Sequence, residues 1–293
     1  MKVLVTGATG QVGSELVARG AALGLNMTGA GSSELNVASR EDVNDCLNAR
    51  SPDIVINAAA YTAVDRAESE SELAYAVNRD GPAHLAHICA ARRIPLLHIS
   101  TDYVFDGSKI IPYREDDSPN PEGVYGSSKL AGEQAVVNHL EQHIILRVAW
   151  VFSETGKNYV RTMLRLGAEH EQLNVVSDQH GAPTWAGDIA STLLIIATRY
   201  REQGVIPWGT YHYAGAPETT WYDFSKEIFK QAKKIGLLDK LPAIRPITTK
   251  QYPTVARRPK YSVLDCHKIQ QAFGISQADW RIGLSKVLTK WVP

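Results

Sequence analysis

The chain has 293 residues with 31 basic and 31 acidic side chains, so its formal net charge is zero, and no block of like charges interrupts it. This balance excludes the electrostatic footprint of a nucleic-acid binder and of a polybasic membrane anchor, leaving a small molecule as the expected partner. Three widely spaced cysteines, Cys46, Cys89 and Cys266, give neither a disulfide framework nor a zinc pattern, and no apolar run reaches membrane-spanning length; with a start that reads as no secretory signal, a soluble cytoplasmic protein is expected.

Short apolar runs alternate with helical patterns through residues 1–150. Strands are expected at Lys2–Thr6, Leu25–Thr28, Asp53–Asn57, Pro95–Ser100 and His143–Val148, and helices at Val12–Leu23, Arg40–Asn48, Ser71–Arg92 and Tyr125–Leu140. Ser39 followed by Asp42 resembles a helix-start cap, and Pro52 ends what precedes the third strand. The alternation implies an α/β fold with a Rossmann-type doubly wound parallel sheet, making residues 1–150 a dinucleotide-binding domain whose strand ends share one rim. Residues 151–293 lose the alternation. Helices are expected there at Tyr159–Ala168, Asp188–Arg201, Tyr222–Ile235 and Lys268–Phe273, in a smaller substrate-binding lobe with some segments returning to the first domain. Pro242, Pro246, Pro253 and Pro259 make Leu241–Leu264 an irregular segment.

The stretch TGATGQVG sets Gly7, Gly10 and Gly13 at the first strand-to-helix junction, where glycine permits a tight turn and a close backbone approach to a pyrophosphate at a helix N-terminus. The end of the second strand reads Gly29, Ala30, Gly31, Ser32, Ser33, with no acid to bind an adenosine ribose and repel a 2′-phosphate; this leans toward NADPH over NADH. The third and fourth strands end in NAAAYTAVD and HISTDYVFDG, where alanines 58–60 leave room for a flat ligand and Ser100, Thr101 and Asp102 bring polar groups to the rim. Two Tyr-x-x-x-Lys pairs, Tyr125 with Lys129 and Tyr222 with Lys226, occur at the spacing that puts side chains on one helix face. Only the first follows the rim directly; the second has the look of ordinary surface pairing.

In this order GATGQVG, NAAAYTAVD, STDYVFDG, YGSSKLAGE and RVAWVF resemble the extended short-chain dehydrogenase/reductases. With DQHGAPTWAGDIA and RRPKYSVLD included, the likeness is to the dTDP-4-dehydrorhamnose reductases and runs through nearly the whole chain. The resemblance implies reduction, by NADPH or NADH, of the C4 keto group of dTDP-4-dehydro-6-deoxy-L-mannose to dTDP-L-rhamnose. It casts Thr101, Tyr125 and Lys129 as the catalytic set, with Lys129 also favouring the phenolate of Tyr125 and bonding the nicotinamide ribose. It lines the cofactor with Gly7, Gly10, Gln11, Val12, Gly13, Asn36, Val37, Ala60, Tyr61, Thr62, Tyr125 and Lys129. It gives the dTDP-sugar substrate Thr101, Asp102, Trp150, Asn158, Arg161 and Arg258. Some members join a homodimer through a divalent ion; here Glu15 matches, but the later acidic position is Gly187, followed by Asp188, so no metal is expected. The alternatives are a non-catalytic NADP-binding regulatory subunit and a reductase or epimerase of another nucleotide-sugar; Tyr103 after Asp102, in place of glutamate, speaks against elimination chemistry.

Overall fold

The computed structural model describes residues 1–292. Its first half runs β1 (Lys2–Thr6), α1 (Gln11–Gly20), β2 (Asn26–Ala30), α2 (Arg40–Arg50), β3 (Ile54–Asn57), α3 (Val64–Ala67), α4 (Ser71–Tyr75), α5 (Gly81–Arg92), β4 (Leu96–Thr101), α6 (Val124–His139) and β5 (His143–Val148). Then come β6 (Val151–Phe152), α7 (Tyr159–Glu169), β7 (Gln172–Val176), β8 (His180–Gly181), β9 (Thr184–Trp185), α8 (Ala186–Gln203), β10 (Gly209–Tyr213), β11 (Thr219–Thr220), α9 (Trp221–Lys234), β12 (Ala243–Ile247), α10 (His267–Phe273) and α11 (Trp280–Thr289).

The central sheet has the order β10-β5-β4-β3-β1-β2, all parallel. Alternation along its strands builds two cores. Val3, Val5, Ile54, Ile56 and Leu146 join Leu16 of α1 and Ile189 and Leu193 of α8 on one face. Leu4, Val55, Leu96 and Ile145 join Leu47 of α2, Leu85 of α5 and Val136 of α6 on the other. Burial on both faces is why these strands read as continuous apolar runs. The chain winds one way from β1 to β2 and the other from β3 onward, so the crevice lies beyond the carboxyl ends of β1 and β3. A third core, with Phe152, Phe224, Phe229, Trp280 and Leu284, holds the second half together.

Three departures from the sequence expectation have physical causes. The helix expected over Ser71–Arg92 is interrupted by a π-helical turn at Ala76–Asp80, whose Asn78 is fully buried and hydrogen-bonded to other elements. The expected irregular segment contains β12, which pairs with β7 in a two-stranded sheet, where Pro246 sits on an edge and needs no ladder donor. Finally β10 joins the central sheet beside β5, far from it in sequence, and α11 closes the third core; neither pairing partner is local, so periodicity in a short window could not reveal it.

One ion pair locks α6 to the sheet. Arg147 of β5 donates through Nε to Glu133 Oε1 of α6 at 2.9 Å and through Nη2 to Oε2 at 2.7 Å, both side chains at most 5% exposed. Replacing one partner strands the other charge in the interior. Arg147→Met is therefore expected to lower stability by about 3–5 kcal/mol, read as a fall in the urea midpoint; an unmoved midpoint refutes this anchoring.

Candidate active site

The rim is built first by backbone. Gly7 adopts φ 65°, and a Cβ there would lie 2.6 Å from Ala59 N and 2.7 Å from the Ala58 carbonyl; a Cβ on Gly13 would lie 2.1 Å from Gly7 O. The first turn thus presses on the end of β3 and on the start of α1, and only glycine satisfies both contacts. Gly10 caps α1 with no side-chain partner, so the first-turn N–H groups of Gln11, Val12 and Gly13 face the rim. Asn57 ties the junction together by accepting from Thr6 Oγ1 at 2.6 Å and from Ala59 N at 3.1 Å. Gln11 Oε1 is buried with no partner. A cradle that excludes Cβ atoms, with free N–H groups at a helix N-terminus, fits a dinucleotide pyrophosphate.

Other sequence-assigned cofactor residues divide by what they expose. Ala60, Tyr61 and Thr62 line the open end of β3. The side chains of Val12 and Val37 are core, so these positions offer the rim only backbone. Asn36 stays at the surface and accepts from Ala38 N. The absence of an acid at the end of β2 is a statement about sequence position only. Glu34 folds back and accepts from Gly31 N at 3.0 Å, leaving Ser32 and Ser33 exposed.

At the rim of β4, Thr101 and Asp102 are buried, with the Thr101 hydroxyl donating to Asp102 Oδ1 at 3.0 Å and accepting from Tyr103 N. Asp102 Oδ2 is buried and without a partner, and burial pushes this carboxyl up to about 6 against the bonds it accepts. Tyr125, in the first turn of α6, is half-buried; desolvation raises its pKa beyond the ordinary phenol range, and a hydrogen bond with Thr101 acts the other way. Lys129 is 2% exposed and donates to the Ile99 carbonyl at 2.7 Å. Burial pulls it down to about 8, while Glu133 one turn on raises it. The expectation that Lys129 favours the phenolate thus meets a stronger opposing effect: desolvation keeps Tyr125 protonated.

Beside this set lies a cavity of about 370 Å³ lined by Tyr159, Met163, Val175, Trp221, Tyr252 and Arg258, among others. Trp150, at φ 45°, stacks on Trp221 with ring centroids 3.5 Å apart, and Gly181 leaves space for its indole, since a Cβ there would lie 2.3 Å from it. Arg258 donates to Asp65 at 2.7 Å and to the Tyr103 hydroxyl at 3.0 Å, and Tyr103 packs edge-on against Tyr125 at 5.5 Å. The structure therefore brings Arg258, Trp150 and Tyr125 to adjoining walls.

Asn158 and Arg161 are spent elsewhere. Asn158 caps α7 and donates to Ser153 O, while Arg161 donates to Glu154 O and lies over the Trp291 ring. Tyr222 and Lys226 form an exposed pair, with Lys226 also bonded to Asp223. Sequence reasoning missed the adjacent Trp221, and missed Asp65, Tyr103 and Tyr252; aromatic clustering in ETTWYDF was the available signal for the first, and nothing local marked the others. At the metal position, Arg19 holds Glu15 at 2.5 Å and its guanidinium stands 2.5 Å from where a Gly187 Cβ would be. This residue set does not fit a divalent-ion contact.

A doubly wound parallel sheet with a glycine cradle and a rim Thr-Tyr-Lys set defines a nicotinamide-dependent oxidoreductase of the extended short-chain dehydrogenase/reductase type. The chain belongs to the RmlD substrate binding domain family, whose profile matches residues 1–292. The dTDP-4-dehydrorhamnose reductase of Aggregatibacter actinomycetemcomitans is 43% identical over 292 residues, 98% of each chain. The dTDP-4-dehydrorhamnose reductase structure from Clostridium acetobutylicum superimposes with a TM-score of 0.91 at 36% identity, covering 99% of both chains. That of Bacillus anthracis, in complex with NADP, gives 0.89 at 32% identity, again over 99% of both.

The cradle yields a direct prediction. Gly13→Ala is expected to weaken NADP⁺ binding about tenfold or more, the effect of about 1–3 kcal/mol of overpacking, in a protein-fluorescence titration. An unchanged dissociation constant would mean the turn does not seat the cofactor.

Proposed function

We propose that this chain reduces the C4 keto group of dTDP-4-dehydro-6-deoxy-L-mannose to give dTDP-L-rhamnose with NADPH or NADH, in the cytoplasm. One observation carries the reading: a half-buried phenol, a buried lysine and a buried, half-satisfied carboxylate lie at the mouth of the dinucleotide crevice, beside an aromatic cavity. The relatives' activity and the NADP complex support it. The chemistry the cofactor supplies when bound is hydride.

The chain supplies the rest. As negative charge develops on the C4 oxygen, Tyr125, kept protonated by its surroundings, holds that atom and gives it its proton, and Thr101 can donate to it once its hydroxyl turns away from Asp102 Oδ1. Lys129 then faces a forming phenolate one helical turn away, and its positive charge stabilises the transfer there, where it would be wasted on the neutral phenol. Asp102 Oδ2 is the acceptor free to take a sugar hydroxyl. Trp150 and Trp221 offer a broad apolar face against the sugar or base, and Arg258 a cation for the diphosphate once it leaves Asp65. Asn158 and Arg161 are proposed only to hold the loop over α1. Homodimerisation, supported by the resemblance, is read directly by gel filtration.

Mixing the protein with NADPH or NADH and the 4-keto sugar nucleotide should oxidise the cofactor, followed at 340 nm; no oxidation with either sinks the reading, and faster turnover of a different 4-keto nucleotide-sugar reassigns the substrate. Tyr125→Phe is expected to reduce kcat by about 10²–10⁴-fold with NADP⁺ affinity kept within about twofold of the wild type. The pH profile follows from the two shifted groups. Asp102 must be ionised to accept, so kcat/KM is expected to fall below about 6. Lys129 must be charged, so it is expected to fall again above about 8. Asp102→Asn should remove the acid limb and leave the alkaline one; an intact acid limb in that variant contradicts the assignment.

A further inference from the structure

Arg258 stands in the wall of the aromatic cavity with both arms of its guanidinium taken. Nη2 donates to Asp65 Oδ2 at 2.7 Å and Nη1 to the Tyr103 hydroxyl at 3.0 Å. Asp65, in α3, spends its other oxygen on the same segment, Oδ1 accepting from Ala256 N at 3.1 Å. One carboxylate thus ties the segment that brings Tyr252, Thr254 and Arg258 to the cavity onto the first half of the chain. The ion pair is not sealed: 27% of the Arg258 side chain and 44% of the Asp65 side chain stay exposed, and pairs in such surroundings are weak enough to be exchanged. Asp65 also lines the cavity, so a diphosphate brought to Arg258 meets a like charge already on the same guanidinium. The two partners of Arg258 differ in this respect. The Tyr103 phenol is neutral and can stay on Nη1 beside an anion, whereas carboxylate and phosphate contend for Nη2.

We propose that Asp65 is a specificity-determining counter-ion that holds Arg258 until the diphosphate of a nucleotide displaces it. Nη1 stays on Tyr103 while Nη2 passes from the carboxylate to a phosphate oxygen, so the guanidinium keeps its place beside the packed Tyr103 and Tyr125 rings. Ala256 N remains on Oδ1, which holds the segment still during the exchange. Every anion that uses Arg258 loses the same factor to this competition. Inorganic anions, with no other contact to make, are thereby kept out, while a nucleoside diphosphate is held also by its base and sugar. This inference rests on the reading above of Arg258 as the cation for the diphosphate.

Asp65→Asn removes the charge and keeps an oxygen for Ala256 N. It is expected to tighten dTDP binding about fivefold in a calorimetric titration, while thymidine, which has no phosphate, binds as it does to the wild type. Unchanged or weaker dTDP binding overturns the proposal, because a carboxylate that merely orients Arg258 would cost affinity when removed. Equal tightening of thymidine also overturns it, since the effect would then not pass through Arg258. A crystal structure of the wild type with dTDP decides the matter even where the variant does not fold: Arg258 Nη2 on a phosphate oxygen and off Asp65 upholds the exchange, and Arg258 still on Asp65 removes it. Wild-type protein that binds no dTDP fails the reductase reading itself; wild type that binds it, with a variant no tighter, fails only the competition.

Discussion

Everything at this site depends on two backbones approaching closer than any side chain allows. The Gly7 turn lies against Ala58 and Ala59, and Gly13 lies against Gly7, at separations where a Cβ would overlap main-chain atoms. That contact aligns the end of β1 with the end of β3 and points the free N–H groups of α1 into the crevice between them. Asn57 fastens the same junction from below, and Asn78 carries the alignment on from the β3 loop to α6. The glycines therefore fix the geometry of a site whose chemistry lies at other residues.

Burial then sets the chemistry. At the rim Asp102 and Lys129 are buried and Tyr125 half-buried, and desolvation acts on each in the direction of its neutral form: up for Asp102 and Tyr125, down for Lys129. For a proton donor in the reductive direction this is useful. The phenol stays protonated until charge appears on the substrate oxygen, and the ammonium is most valuable in the transition state, when a phenolate is forming. Glu133 opposes the desolvation of Lys129, and Arg147 in turn holds Glu133 in place, so the buried pair that fastens α6 to β5 also stands behind Lys129. Stability and tuning share the same residues.

The substrate wall is assembled differently. Trp150 leaves β5 in a left-handed backbone conformation and stacks on Trp221, from the start of α9, while Arg258 arrives from the long segment after β12 and is held on Asp65 and Tyr103. These residues come from five parts of the chain, and their meeting depends on the third core around Phe224 and Trp280 packing the second half over the rim.

The amino-acid sequence by itself determined the parallel sheet and the phosphate turn, and marked Thr101, Tyr125 and Lys129 as candidates, because each is written locally: an apolar run followed by glycines, or a spacing of four on one helix face. It also set Tyr125 and Lys129 apart from Tyr222 and Lys226, by order along the rim. Only the tertiary structure decided what depends on distant residues meeting. Glu34 reaches back to the end of β2 through a turn that position counting cannot see. Asn158 and Arg161 are drawn to a loop instead of the cavity, Trp221 and Tyr252 enter it, and a π-helical turn around the buried Asn78 interrupts the helix expected before β4. Desolvation is likewise a property of the packed chain, so the direction in which Tyr125 and Lys129 are tuned followed from the fold, where it is the largest effect on each.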